Sequence, residues 1–167
     1  IDHMRKEIKT SLGDLKYDYL VLALGANTNY YKNPNFEKFS IPLKSVSEAL
    51  YLRNSILDDL EKAVTTNDIE TKEKLLDIVI VGGGPTGVEL AGALAEMKHN
   101  ILPKDYPDLD SRTMNIHLIQ GDSRLLAGMK EKAGKRAENY LKKMGVDLHL
   151  NSRVEDMGVD YIKLKGG

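Results

Sequence analysis

The stretch DIVIVGGGPTGVELAGALAE, Asp77 to Glu96, runs a short apolar segment into three glycines and then into small residues at helical spacing. Ile78 to Val81 reads as a buried strand and Thr86 to Asn100 as a helix, with Gly87, Ala91 and Ala95 at intervals of four forming a thin face for close packing. Downstream, Asn115 to Gln120 is a second strand. Lys130 to Met144 is a helix with Ala133, Ala137, Tyr140, Leu141 and Met144 inward and lysines outward, and Gly145 stands where a left-handed C-cap ends it. Val146 to Leu150 is a third strand. Alternation of this kind requires a parallel sheet with right-handed helical crossovers, the mononucleotide-binding half of a doubly wound, Rossmann-like α/β fold. Arg153 to Met157 and Tyr161 to Lys165, pairing around Gly158, add a small antiparallel β appendage.

Upstream, Ser45, Val46, Ser47 and Glu48 have capping-box spacing, and apolar periodicity predicts a helix from Ser47 to Thr65. Thr66 to Lys74 reads as a polar surface connection, and Leu102 to Thr113 as a loop rich in Pro and Asp. Glu7 to Thr10, a turn at Leu12-Gly13-Asp14, and Leu15 to Leu24 suggest a hairpin. Its second arm, YDYLVLALG, has the continuous apolarity of a strand buried on both faces. Ala26 to Pro42 then looks like a passage between substructures. The resulting division is 1–26, 27–75 and 76–167, with the last unit the nucleotide-binding one.

Gly82-Gly83-Gly84-Pro85-Thr86-Gly87 satisfies G-x-G-x-x-G between a strand and a helix. Gly82 lets the chain leave the strand in a tight turn, a side chain at Gly84 would collide with a pyrophosphate, and Gly87 lets the helix approach the strand. The helix N-terminus offers free amides and a positive dipole end to that pyrophosphate. Glycine-rich turns also serve chain geometry alone, but the flanking strand, helix and second strand favour a dinucleotide.

In such folds the second strand usually ends in Asp or Glu, which binds the adenosine ribose hydroxyls. Here it ends in Gln120, which can hydrogen-bond a ribose but carries no charge to repel a 2′-phosphate. NADH preference over NADPH is therefore expected to be weaker than usual. Arg124 is near enough in sequence to assist a phosphate, and equally reads as a solvated surface charge. Glu89, two residues past the last glycine, reads either as an acid compensating the first turn of the helix or as a group facing the nicotinamide.

With 24 basic and 25 acidic residues the charges nearly cancel, so nothing points to nucleic acid. Cysteine is absent, which excludes a disulfide framework or thiolate metal site within these residues. The four histidines share no ligand spacing, and no metal is assigned. No apolar run approaches the roughly 20 residues of a membrane span. A start at Ile1 and an end on Lys165-Gly166-Gly167, directly after a strand-like segment, predict an excised piece of a longer protein.

GGGPTGVELAGALAEM together with YDYLVLALGANTNYY, LKSVSEALYLRNSIL and GDSRLLAGMKEKAGKRAENYLKKMGVDLHL resembles the type II NADH dehydrogenases. These are single-subunit NADH:quinone oxidoreductases of the flavoprotein superfamily with two dinucleotide-binding folds. The resemblance implies that Tyr17 to Gly25 is a strand of an FAD-binding fold and that the rest is the inserted NADH-binding fold. FAD would belong to the full-length protein, whose other FAD segments and membrane-anchoring helices would lie outside these residues. Gly82, Gly84 and Gly87 match the pyrophosphate motif; Glu89 matches the acid beside nicotinamide and flavin; Gln120 stands where many members have Glu. The implied activity is hydride transfer from NADH to FAD and electron delivery to a membrane quinone, by a protein peripheral on the cytoplasmic face of the inner membrane. The piece itself would bind nucleotide without turnover. A homodimer stays open, as do a disulfide, ferredoxin or sulfide:quinone reductase of the same superfamily and a non-catalytic NAD(P)H-sensing module.

Overall fold

The computed structural model describes residues 1–166. The chain opens on a hairpin of β1 (Glu7–Thr10) and β2 (Gly13–Lys16), paired antiparallel around the two-residue turn Ser11-Leu12. The turn falls one residue earlier than its sequence suggested because Gly13, at φ +119°, occupies the first position of the second arm. Beyond Tyr17, whose amide donates to the Lys6 carbonyl at 3.0 Å, the segment to Leu24, expected as a buried strand, forms no strand and is largely exposed, with Tyr19 94% and Leu24 91% exposed. A strand is held by its neighbours' hydrogen bonds, and among the described residues none runs beside this segment.

α1 (Pro34–Phe39) starts on Asn33, whose side chain accepts from the Asn35 amide. α2 (Val46–Thr65) carries the expected capping box. The Ser45 hydroxyl accepts from the Glu48 amide at 3.3 Å, and the Glu48 carboxylate accepts from the Ser45 amide at 2.8 Å. The expected surface connection after it contains a further helix, α3 (Ile69–Leu76). Asp68 caps it by accepting from the Thr71 amide, and Lys74 pairs with Glu70 one turn earlier at 2.8 Å. Local capping and charge pairing make this helix; its polar composition, with five charged or hydroxyl residues in eight, concealed it.

β3 (Asp77–Val81) leads through the glycine turn into α4 (Pro85–Asn100). The expected Pro/Asp-rich loop holds the short α5 (Leu102–Asp105) and a 3₁₀ turn over Ser111–Thr113, anchored by buried Leu102 and Leu109. β4 (Asn115–Ile119), α6 (Glu131–Lys143) and β5 (Asp147–His149) complete a parallel sheet in the order β3-β4-β5. β6 (Val154–Met157) and β7 (Ile162–Leu164) form the antiparallel appendage, with Gly158 donating to the Tyr161 carbonyl. Gly145 has the left-handed φ of +75° expected of a C-cap.

The core lies on one face of the sheet. Ile80, Ile116 and Leu118 meet Ala91, Leu94 and Ala95 of α4 and Leu141 of α6, and Leu60 and Ala63 of α2 join through Leu76 and Met114. Ala91 and Ala95 are fully buried, as the small-residue face predicted. Periodicity places Tyr140 inward, but it is 62% exposed. It lies one position off the buried Gly134–Leu141 line of α6, and its phenol reaches water instead.

Candidate functional site

β3 ends beneath a turn that is tied to the sheet on both sides. The Gly82 amide extends the ladder to the Ile119 carbonyl at 2.8 Å, and the Gln120 amide does the same to His149 at 2.8 Å. Gly82 itself has φ +111°, a conformation that L side chains rarely adopt, so the exit from the strand depends on glycine. The glycines that follow divide by what surrounds them. A Cβ on Gly87 would stand 2.0 Å from the Gly82 carbonyl oxygen, and one on Gly83 would stand 2.5 Å from Leu125 Cδ2. A Cβ on Gly84 would meet nothing within 4 Å. Two of the three therefore permit chain-to-chain contact, whereas Gly84 faces open space.

Pro85 occupies the first helical position, where its missing N–H forfeits nothing and its fixed φ suits the helix. It also begins α4 one residue earlier than expected. Glu89 consequently lies in the second turn, beyond the reach of simple first-turn dipole compensation. Glu89 is exposed and makes no ion pair or side-chain hydrogen bond among the described residues. No side chain caps α4, and the first amide bonded to the turn is that of Val88, to the Gly84 carbonyl at 3.0 Å. The amides of Thr86 and Gly87 are left at an uncapped, positive helix end.

That end borders a cleft of about 320 Å³ lined by Gly83, Gly84, Pro85 and Gln120 on one side and by residues 126–129 on the other. Sequence reasoning missed the second wall. Leu125, fully buried, wedges under Gly83, and the Leu126 amide donates to the Gly83 carbonyl at 2.8 Å. To do so Leu126 adopts φ +52°, a left-handed conformation costly for any residue but glycine. Arg124 braces the same segment, its Nη1 donating to the Met129 carbonyl at 3.1 Å and its Nη2 to that of Ala127 at 2.5 Å. Gln120 sits at the junction of the two walls. Its Oε1 accepts from the Gly83 amide at 2.8 Å, and its Nε2 donates to Asp122 Oδ2 at 3.0 Å.

Among the described residues no three His, Cys, Asp or Glu side chains are gathered to hold a metal. His117 and His149 approach at 3.2 Å on neighbouring strands, as one N–H···N pair. No helix of the described residues is long and apolar enough to cross a membrane.

Parallel strands, helical crossovers and a glycine turn at the sheet's C-terminal edge define an α/β protein of the Rossmann-like class. The chain belongs to the pyridine nucleotide-disulphide oxidoreductase family, which it matches over residues 1–165. It is 38% identical over 149 residues to the type II NADH:quinone oxidoreductase Ndh of Mycobacterium tuberculosis, covering 89% of this chain and 32% of that protein. It is 34% identical to an external alternative NAD(P)H-ubiquinone oxidoreductase, B4, of Arabidopsis thaliana mitochondria, covering 91% of this chain and 26% of the relative. The structure of NDH2 from Plasmodium falciparum in complex with NADH superposes with a TM-score of 0.81 at 30% identity, over 90% of this chain and 31% of that one. The chain thus spans about a third or less of the length of these relatives.

Proposed function

We propose that this chain is the nicotinamide-dinucleotide-binding part of a flavoprotein NADH:quinone oxidoreductase, with FAD as the hydride acceptor and a membrane quinone as the final one. The observation that carries the reading is the contrast among the glycines. Gly83 and Gly87 are explained by packing, but the emptiness around Gly84, beside an uncapped helix end, has no structural use and suits a bound pyrophosphate. Similarity to relatives named for NADH and quinone supports the reaction class.

In this reading Gly82 shapes the turn, Gly83 seats it against Leu125 and Gln120, Gly84 admits the pyrophosphate, and the Thr86 and Gly87 amides donate to it beyond Pro85. Gln120 lies at the adenosine ribose, and Glu89 lies toward the nicotinamide. Arg124 serves by holding residues 127–129 in place, since its guanidinium is already engaged by their carbonyls. The bound nicotinamide supplies the hydride chemistry; the chain's residues supply position and charge. Attachment to the cytoplasmic face of the inner membrane and a homodimeric state belong to the same proposal for the whole protein, as does the division of the chain at 26 and 75.

Calorimetric titration of the protein with NADH tests it. Saturable binding below millimolar concentration is expected, and its absence in a folded sample would overturn the assignment of the cleft.

A further inference from the structure

We infer that Asp122, three residues beyond the end of β4, is the acidic determinant of dinucleotide choice, supplying through space the charge that Gln120 lacks. The inference rests on the reading of the cleft as an NAD(P)H site and concerns its adenosine end. The orientation of the Gln120 amide follows from its partners. A backbone N–H can only donate and a carboxylate can only accept, so Oε1 must face Gly83 and Nε2 must face Asp122. Both ends of the side chain are thereby fixed, and one N–H of Nε2 stays open for a ribose oxygen.

The Asp122 backbone is pinned as well. Its carbonyl accepts from the Asn151 amide at 3.0 Å, and the Gln120 carbonyl accepts from the Ser152 amide at 3.0 Å. The carboxylate is exposed, forms no ion pair among the described residues and has Gln120 as its side-chain partner. It therefore remains close to the strand end. Arg153 passes beside Gly121, where a Cβ would stand 3.1 Å from its Cγ and 3.4 Å from its Nε, and brings an opposing charge to that side. Its guanidinium is exposed and unpaired among the described residues, free to swing into water, whereas Asp122 is held by a hydrogen bond.

A 2′-phosphate oxygen accepting from the open N–H of Gln120 would lie about 5 Å from Asp122 Oδ2, since the two N–H bonds of an amide diverge by about 120°. Repulsion between one charge and roughly two at that distance, in a water-like dielectric, disfavours the phosphorylated dinucleotide about tenfold. A ribose 2′-hydroxyl meets no such penalty. Selectivity is thus expected to favour NADH despite the uncharged residue at the usual position.

The test measures Kd for NADH and NADPH in the protein and in its Asp122→Asn and Asp122→Lys variants, with circular dichroism to verify folding. The parent is expected to prefer NADH. Asp122→Asn should cut the ratio of the NADPH Kd to the NADH Kd about tenfold, and Asp122→Lys should cut it further. Adenosine 2′,5′-bisphosphate against 5′-AMP should show the same change, placing the effect at the adenosine end. Tighter binding of NADPH by the parent would overturn the inference. So would binding of both nucleotides with a ratio that neither variant moves, which would leave the cleft assignment intact. Failure of both nucleotides to bind the parent would remove the cleft assignment and this inference together.

Discussion

Gly84→Ala and Gly87→Ala make the same chemical change three residues apart, yet the structure assigns them opposite consequences. In Gly87→Ala the new methyl lies 2.0 Å from the Gly82 carbonyl oxygen, at least 1 Å inside the 3.0 Å below which real Cβ contacts essentially do not occur. The obstructing atom is backbone, so no rotamer change relieves the clash. Either α4 lifts from β3 or the Gly82 turn moves, and both disturb the buried contact of Ala91 and Ala95 with the sheet. Overpacking of this kind costs about 1–3 kcal/mol, and a backbone obstruction belongs at the upper end. For a chain of this size about 3 kcal/mol lowers Tm by roughly 6–12 °C. Gly84→Ala meets nothing within 4 Å at an extended φ of −76°, so its Tm should change by no more than about 3 °C. Its methyl would occupy the space assigned to the pyrophosphate, and NADH binding should disappear. Thermal unfolding by circular dichroism, with calorimetric NADH titration on both variants, separates the two roles. A Gly87→Ala protein melting within about 2 °C of the parent would refute the packing role. A Gly84→Ala protein that binds NADH with parental affinity would refute the ligand role.

Three other outcomes are expected. Leu125→Ala removes the fully buried wedge beneath Gly83 and should cost about 2–5 kcal/mol in chemical denaturation; a loss below about 1 kcal/mol would mean the site collapses around the cavity. If the proposed function holds, Glu89→Gln in the full-length protein should slow hydride transfer at unchanged NADH affinity in stopped-flow measurements, whereas parental rates would leave Glu89 a surface acid of α4. Asp110 is held to about 2 by hydrogen bonds from the Arg112 side chain and backbone. Its folded pKa lies below the unfolded one, so its contribution to stability is complete above pH ~4 and is lost as pH falls through ~2. In an NMR carboxyl titration Arg112→Ala should raise it partway, because the Arg112 amide still donates; an unmoved value would contradict that cause.

What the sequence made legible was whatever is encoded within a few residues of itself. The glycine turn, the Gly87-Ala91-Ala95 face and the alternation that dictates a parallel sheet all appear in the structure. Ser45 and Glu48 announced their helix correctly, while Asp68 capped one hidden by its polar composition. Features that depend on distant partners were not legible. YDYLVLALG has a strand's composition, but pairing decides a strand. Tyr140 fits an inward stripe until the position of the neighbouring elements is known. The second wall of the cleft, 126–129, has no motif because its function is to meet Gly83 from some forty positions away. The link from Gln120 to Asp122 depends on a side-chain orientation that only the Gly83 amide determines.

The left-handed Leu126 and the wedge of Leu125 bear on transplantation. G-x-G-x-x-G moved alone into a foreign strand-turn-helix would lack the brace that sets Gly83 and the far side of the cleft. The transferable unit is discontinuous: residues 82–87 must travel with 120–129. A chimera exchanging one segment without the other would keep its secondary structure and forfeit the geometry of its turn.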